Sequence, residues 1–150
     1  MIIGGRKEYF PRDDASMHRA SGEELQRIAE EILKAWPDAA SAIPAKGDPS
    51  SFFFVEMLTS VPGVLTPATS VTLLGDAVHA MTPTLGLGAN LAMRDGAMLG
   101  RHIIHVAEGK AAVAEALNAY EGEMTRYAFQ VVRESAAMGQ RLIGQDPLPE

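Results

Sequence analysis

Residues 71–99 read VTLLGDAVHAMTPTLGLGANLAMRDGAML, and the chain is best understood outward from them. Val71 to Leu74 is a short apolar run, read as a buried strand, that ends in Gly75-Asp76. A carboxylate at the C-terminal end of a strand lies where open α/β sheets bind ligands. Pro83 stiffens the loop that follows. Gly86 and Gly88 have no side chain, so backbone there can approach a ligand closely. The pattern predicts a helix from Asn90 to Glu108, with Gly109 as its stop. The free N–H groups and positive dipole end of that helix face whatever the glycines admit. The expected ligand offers hydroxyls to Asp76 and an electron-rich or anionic edge to the helix start. Spacing alone fits a plain strand–loop–helix joint equally well. Leu91 stands where a dinucleotide fingerprint has its third glycine, and there is no G-x-x-x-x-G-K-[ST] phosphate loop.

Upstream, Met1 to Ile3 reads as a strand before Gly4-Gly5, and residues 11–20 read as polar loop. Ser21 and Glu24 form an S-x-x-E capping box, each satisfying a free backbone N–H. Leu25, Ile28, Ala29, Ile32, Leu33 and Trp36 follow as one apolar stripe, which Pro37 ends. Pro37, Pro44, Gly47 and Pro49 make residues 37–51 a loop, and Phe52 to Leu58 is the next strand candidate. Its phenylalanines suit a core, or the lining of an aromatic pocket. Val61-Pro62-Gly63 and Thr66-Pro67 punctuate turns. Downstream, residues 111–143 form a second helix with Val113, Leu117, Tyr120, Met124, Tyr127, Val131 and Met138 on one broad face. The tail from Gln145 to Glu150 is expected to fray.

Composition narrows the function classes. The 150 residues have the size of one domain, and 47% hydrophobic with 21% charged residues is a globular balance. The absence of cysteine excludes disulfides, zinc–thiolate sites, iron–sulfur clusters and a cysteine nucleophile. A net charge of -6 makes nucleic acid and anionic membrane surfaces poor partners. No apolar run approaches the ~20 residues of a membrane span. MIIGGRKEYF lacks the build of a signal peptide, so a cytoplasmic location is expected. No serine sits in G-x-S-x-G. His102 and His105 share a helix face without a clear Asp or Glu beside them, so no metal site is expected. Arg94 and Arg101 lie on the same helix as Asp95; Arg94 is read as a surface ion-pairing residue, and Tyr120 and Tyr127 as packing the last helix onto a sheet. His79 stands three residues from Asp76, a spacing that guarantees no contact within a loop.

GDAVHAMTPTLGLGANLAMRDGAML resembles the second flavin-binding motif of the FAD-dependent aromatic hydroxylases, the para-hydroxybenzoate hydroxylase-like monooxygenases. The matching residues are Gly75, Asp76, Ala77, His79, Pro83, Gly86, Gly88, Asn90, Ala92 and Asp95. A weaker resemblance runs from about residue 52 to residue 135. The resemblance implies that Gly75 belongs to the cofactor-binding residues, that Asp76 hydrogen-bonds a ribityl hydroxyl of FAD and that Pro83 lies beside the isoalloxazine ring. It implies that Gly86, Leu87, Gly88, Ala89 and Asn90 present backbone groups to the pyrimidine end of the flavin. His79 would then be structural rather than an obligatory base, and contact with FAD or a neighbouring domain is the alternative for Arg94. In the family NAD(P)H reduces the flavin, and oxygen is then used to hydroxylate a small-molecule substrate.

The departures shape the rest of the reading. The family begins with a strand and a G-x-G-x-x-G turn that holds the FAD pyrophosphate, and nothing in residues 1–70 matches it. A further Asp-Gly motif is missing too, because Asp95-Gly96 lies inside the helix after the glycine loop. The chain thus resembles a C-terminal fragment of α+β class: a short mixed sheet and a long C-terminal helix, without the N-terminal dinucleotide-binding βαβ. Residues 1–62 would be a remnant of the substrate domain, 63–108 the flavin-ring segment and 109–150 the final helix and tail. Alone it should bind FAD weakly or not at all, and its unpaired strands favour self-association or a complementing chain. One alternative is a non-catalytic remnant or assembly module. Another is a flavin enzyme that does not hydroxylate, such as a halogenase or reductase relative.

Overall fold

A computed structural model describes residues 2–66 and 69–149. Met1 of the expected first strand, Pro67 of the expected Thr66-Pro67 turn and Glu150 of the tail lie outside the described residues. Regular structure among the described residues is entirely helical, in six α-helices and three short 3-10 turns. The backbone divides into two compact units, Met1–Glu56 with Leu142–Gly144 and Met57–Arg141 with Gln145–Glu150.

The first unit holds α1 (Asp14–Arg19), α2 (Gly22–Leu33) and α3 (Asp38–Ala45). Its local chemistry is dominated by caps. Asp13 accepts the Ser16 N–H at 2.8 Å and starts α1. The Ser21–Glu24 capping box forms as predicted, with reciprocal bonds of 3.0 and 3.3 Å. Met17, Leu25 and Ile28 make the core, and Phe10, Ile32, Phe52 and Phe54 close over it. The loops expected at 11–20 and 37–51 are therefore partly helical. Asp13 and Pro37 were start signals outweighed by the polar and proline-rich composition around them. Gln26 secures α3 by donating from Nε2 to the Pro44 carbonyl at 2.8 Å. Trp36 leaves the stripe: α2 ends at Leu33, and the indole is 60% exposed.

The second unit holds α4 (Asp76–His79), α5 (Gly88–Ala107) and α6 (Val113–Ile143). Its core is Met98, Tyr120, Met124 and Ala128, flanked by Leu65, Val78, Leu99 and Tyr127. The long last helix stands as predicted, but Val132 rather than Val131 is the fully buried valine. Gln145 is anchored rather than frayed. Its N–H donates to the Gly139 carbonyl at 3.2 Å, and its Nε2 donates to Thr59 Oγ1 at 3.1 Å.

The expected α+β class with a short mixed sheet is overturned, since no strand occurs among the described residues. The runs 52–58 and 71–74 carry no regular structure, and their polar groups bond outside any ladder. The Tyr120 hydroxyl donates to the Leu73 carbonyl at 3.0 Å, and Thr72 Oγ1 donates to Glu121 at 2.7 Å. The Ser60 N–H donates to the Ala80 carbonyl at 2.8 Å. Side chains of α6 and a turn carbonyl thus take places that strand neighbours fill in a sheet. Period-2 alternation survives only in part: Phe52 and Phe54 are half-buried while Phe53 is 79% exposed. Val71, Leu73 and Leu74, expected to be buried, are exposed.

Candidate functional site

The segment from Gly75 to Asp95 sorts its residues into two sets. Gly75, His79, Thr82, Leu91 and Asp95 are buried, whereas Asp76, Pro83, Gly86, Leu87, Ala89 and Asn90 are exposed and Gly88 is half-buried. Of the sequence-predicted site residues, only Gly75 points inward. The others form an outward rim of exposed or half-buried positions, interrupted by the buried His79 and Thr82, along a loop and the helix that follows it.

The buried set holds that rim in place. Gly75 has φ 59 and ψ -142, a conformation that favours glycine, and an added Cβ would stand 3.0 Å from that of Ala92. The Gly75 N–H donates to Asp95 Oδ2 at 2.9 Å. His79 is fully buried, with Nε2 2.5 Å from the same oxygen. The Tyr127 hydroxyl donates to Asp95 Oδ1. His79 thus pairs with Asp95 and not with its sequence neighbour Asp76.

A second set of bonds fixes the proline turn to α6. Thr84 Oγ1 donates to the Ser135 carbonyl at 3.0 Å, Ser135 Oγ returns a bond to the Thr82 carbonyl at 2.8 Å, and Thr82 Oγ1 donates to Gln145 at 3.1 Å. Pro83–Leu85 is a single 3-10 turn closed by the left-handed Gly86 at φ 66.

The outward face suits part of a flavin. The helix starts at Gly88, two residues before the predicted start, so Gly88, Ala89 and Asn90 form its first turn. No side chain caps it, which leaves first-turn N–H groups for solvent or a ligand. A Cβ built at Gly86 or Gly88 meets nothing within 4 Å, so the space above both is open. The exposed Asp76 carboxylate is an acceptor for a hydroxyl. Acceptor, open backbone and positive helix end match a ribityl chain and an electron-rich pyrimidine edge.

Sequence reasoning missed Asp95 as the organising residue. The clue was present: Leu91, Asp95 and Met98 share one helix stripe, and an acid on a buried stripe needs partners. Arg94 is not a simple surface ion-pairing residue, since its guanidinium lies 3.8 Å above the Tyr127 ring. Tyr120 and Tyr127 pack at the core of this unit and not on a sheet. His102 does have an acidic neighbour, with Nε2 3.9 Å from Glu123.

Burial, then the Asp95 charge, holds the Tyr120 hydroxyl far above the ordinary tyrosine range. Burial first, and then the hydrogen bond to Asp95, does the same for Tyr127. In the unfolded chain both ionise near pH ~10. The folded state therefore holds these protons longer, and stability falls as pH rises above about 10. Unfolding scans across that range should show a descending midpoint, and a Tyr127→Phe chain should descend less steeply.

Among the described residues no helix is long and apolar enough to cross a membrane. A family model described as an FAD binding domain matches residues 15–135. A dual O-methyltransferase/FAD-dependent monooxygenase of Phaeosphaeria nodorum is 38% identical over 95 residues, covering 53% of this chain and 10% of that protein. A second dual O-methyltransferase/FAD-dependent monooxygenase, of Cercospora beticola, is 23% identical over 98% of this chain and 18% of its own length. Salicylate hydroxylase of Pseudomonas putida is 29% identical over 95% of this chain. The chain spans 31% of that hydroxylase and less of the two dual O-methyltransferase/monooxygenases. Since the family match runs over most of its length and includes the whole Gly75–Asp95 segment, the chain belongs to the FAD binding domain family.

Proposed function

We propose that this chain supplies the flavin-ring half of an FAD site in a monooxygenase that hydroxylates a small aromatic or polyketide-like molecule, with NAD(P)H as electron donor. The observation that carries the reading is the exposed rim Asp76, Pro83, Gly86 to Asn90, set on buried residues bonded to α5 and α6. The names of the relatives support the reaction class: two are FAD-dependent monooxygenases and one hydroxylates salicylate. When bound, the flavin supplies the redox chemistry, passing electrons from the nicotinamide to oxygen. The chain's own residues bind and orient. Asp76 accepts a ribityl hydroxyl, the first turn of α5 faces the pyrimidine edge, and Pro83 covers one side of the ring.

The 150 residues contain no G-x-G-x-x-G turn, so the pyrophosphate half of the site must come from elsewhere. On this reading residues 63–108 are the flavin segment, residues 1–62 the remnant of the substrate domain and 109–150 the final helix and tail. A complementing dinucleotide-binding chain would cover the exposed apolar run that includes Leu58, Val64 and Val71. That exposure also favours a second reading, an assembly module that no longer binds flavin.

Flavin fluorescence titration of the full chain and of Asp76→Ala separates the two. Losing a hydrogen bond to a charged acceptor should weaken flavin binding about tenfold or more. Equal affinity in the two chains would remove Asp76 from the site, and absence of any saturable binding would favour the assembly module.

A further inference from the structure

Asp95 is fully buried, yet polar groups from three separate segments converge on its carboxylate. The Gly75 N–H comes from the turn before α4, the His79 imidazole from the end of α4, and the Tyr127 hydroxyl from α6. Asp76, the first residue of α4, lies between Gly75 and His79. An ionised carboxylate has no proton to give, so it serves all three as an acceptor.

We infer that Asp95 is the positioning residue of the flavin loop: it fixes the Gly75-Asp76 turn through the Gly75 N–H and locks His79 in the tautomer with its proton on Nε2. The inference rests on the flavin reading for its consequence, but its geometry does not need a flavin. His79 Nδ1 is buried without a partner. A bare acceptor nitrogen is tolerated there more readily than a bare N–H would be. With the proton on Nε2, the imidazole spends its one donor on Asp95 and leaves only a lone pair unsatisfied. Both ends of the four-residue helix α4 are then tied to one carboxylate, Gly75 before it and His79 at its last position. Such a short helix has little cohesion of its own, so the direction of the Asp76 carboxylate depends on those two ties. Tyr127 holds the other oxygen and couples the turn to α6, with the Arg94 guanidinium over its ring.

The test uses the full chain with 15N-labelled histidine and glycine, first without ligand. Long-range proton–nitrogen spectra should show His79 protonated at Nε2 and bare at Nδ1, and the Gly75 amide should exchange slowly. In Asp95→Ala the shared acceptor is gone, so the Gly75 N–H and His79 Nε2 both lose their partner and Gly75 exchange should speed up. Riboflavin affinity of that variant should fall at least about tenfold while its helix content stays near wild type. Tyr127→Phe removes one donor only, so it should keep the Nε2–H tautomer and lose riboflavin affinity less. A wild-type His79 with its proton on Nδ1 overturns the inference, whether or not Asp95→Ala folds. So does an Asp95→Ala chain that binds riboflavin as wild type does. If the wild-type chain binds no riboflavin but shows the Nε2–H tautomer and a protected Gly75, the flavin reading fails and the Asp95 lock stands.

Discussion

Gly75→Ala is expected to destabilise the chain by about 2 kcal/mol or more and to remove flavin binding with it. The backbone at φ 59, ψ -142 belongs to glycine, and the new methyl would stand 3.0 Å from that of Ala92 on a helix that cannot rotate it away. Relief requires the Gly75 N–H to leave Asp95, and the Asp76 carboxylate turns with it. Gly96→Ala on α5 is the internal comparison. That glycine is exposed, its Cβ would meet nothing within 4 Å, and alanine there should stabilise by about 0.5–1 kcal/mol. Urea midpoints for the two variants should therefore move in opposite directions. Equal shifts would show that the Gly75 turn is not conformationally demanding.

Met124→Ala should carry the other large cost, about 2–5 kcal/mol. Met124 is wholly buried among Met98, Tyr120 and Ala128, where α5 and α6 meet. Truncation leaves a cavity that rigid helices do not close. The effect should reach the site, because Tyr127 lies one turn along α6 and donates to Asp95. Met93→Ala, on a methionine 66% exposed, should stay within about 0.5 kcal/mol of wild type. A Met124→Ala chain with an unchanged denaturation midpoint would place the core elsewhere.

The parts of this molecule that were legible in the sequence are those governed by local chemistry. The Ser21–Glu24 box, the extent of α6 and the loop-to-helix passage at Gly86 to Asn90 follow from caps, spacing and glycine placement within a few residues of each. The absence of strands among the described residues was not legible, because a strand is a statement about partners. Phe52–Leu58 and Val71–Leu74 have strand composition, but their backbone bonds go to Tyr120 and to turn carbonyls instead. The site divided the same way. The expected flavin contacts Asp76, Pro83 and Gly86 to Asn90 follow one another along the sequence, and all are exposed except the half-buried Gly88. The residues that hold them, Asp95, Tyr127, Ser135 and Gln145, lie 20 to 70 positions from Gly75. No local pattern joins such positions, although an aspartate on the Leu91–Met98 stripe marked one of them.

The central claim is that residues 75–90 hold the ring and ribityl end of a flavin and nothing beyond it. It is tested most directly by titrating the full chain with riboflavin and with FAD under identical conditions. The account predicts saturable, weak binding of both with affinities within about threefold, since neither pyrophosphate nor adenine finds a site. FAD bound a hundredfold or more tightly than riboflavin would contradict it, by showing a pyrophosphate site in this chain, and so would the failure of riboflavin to bind at all.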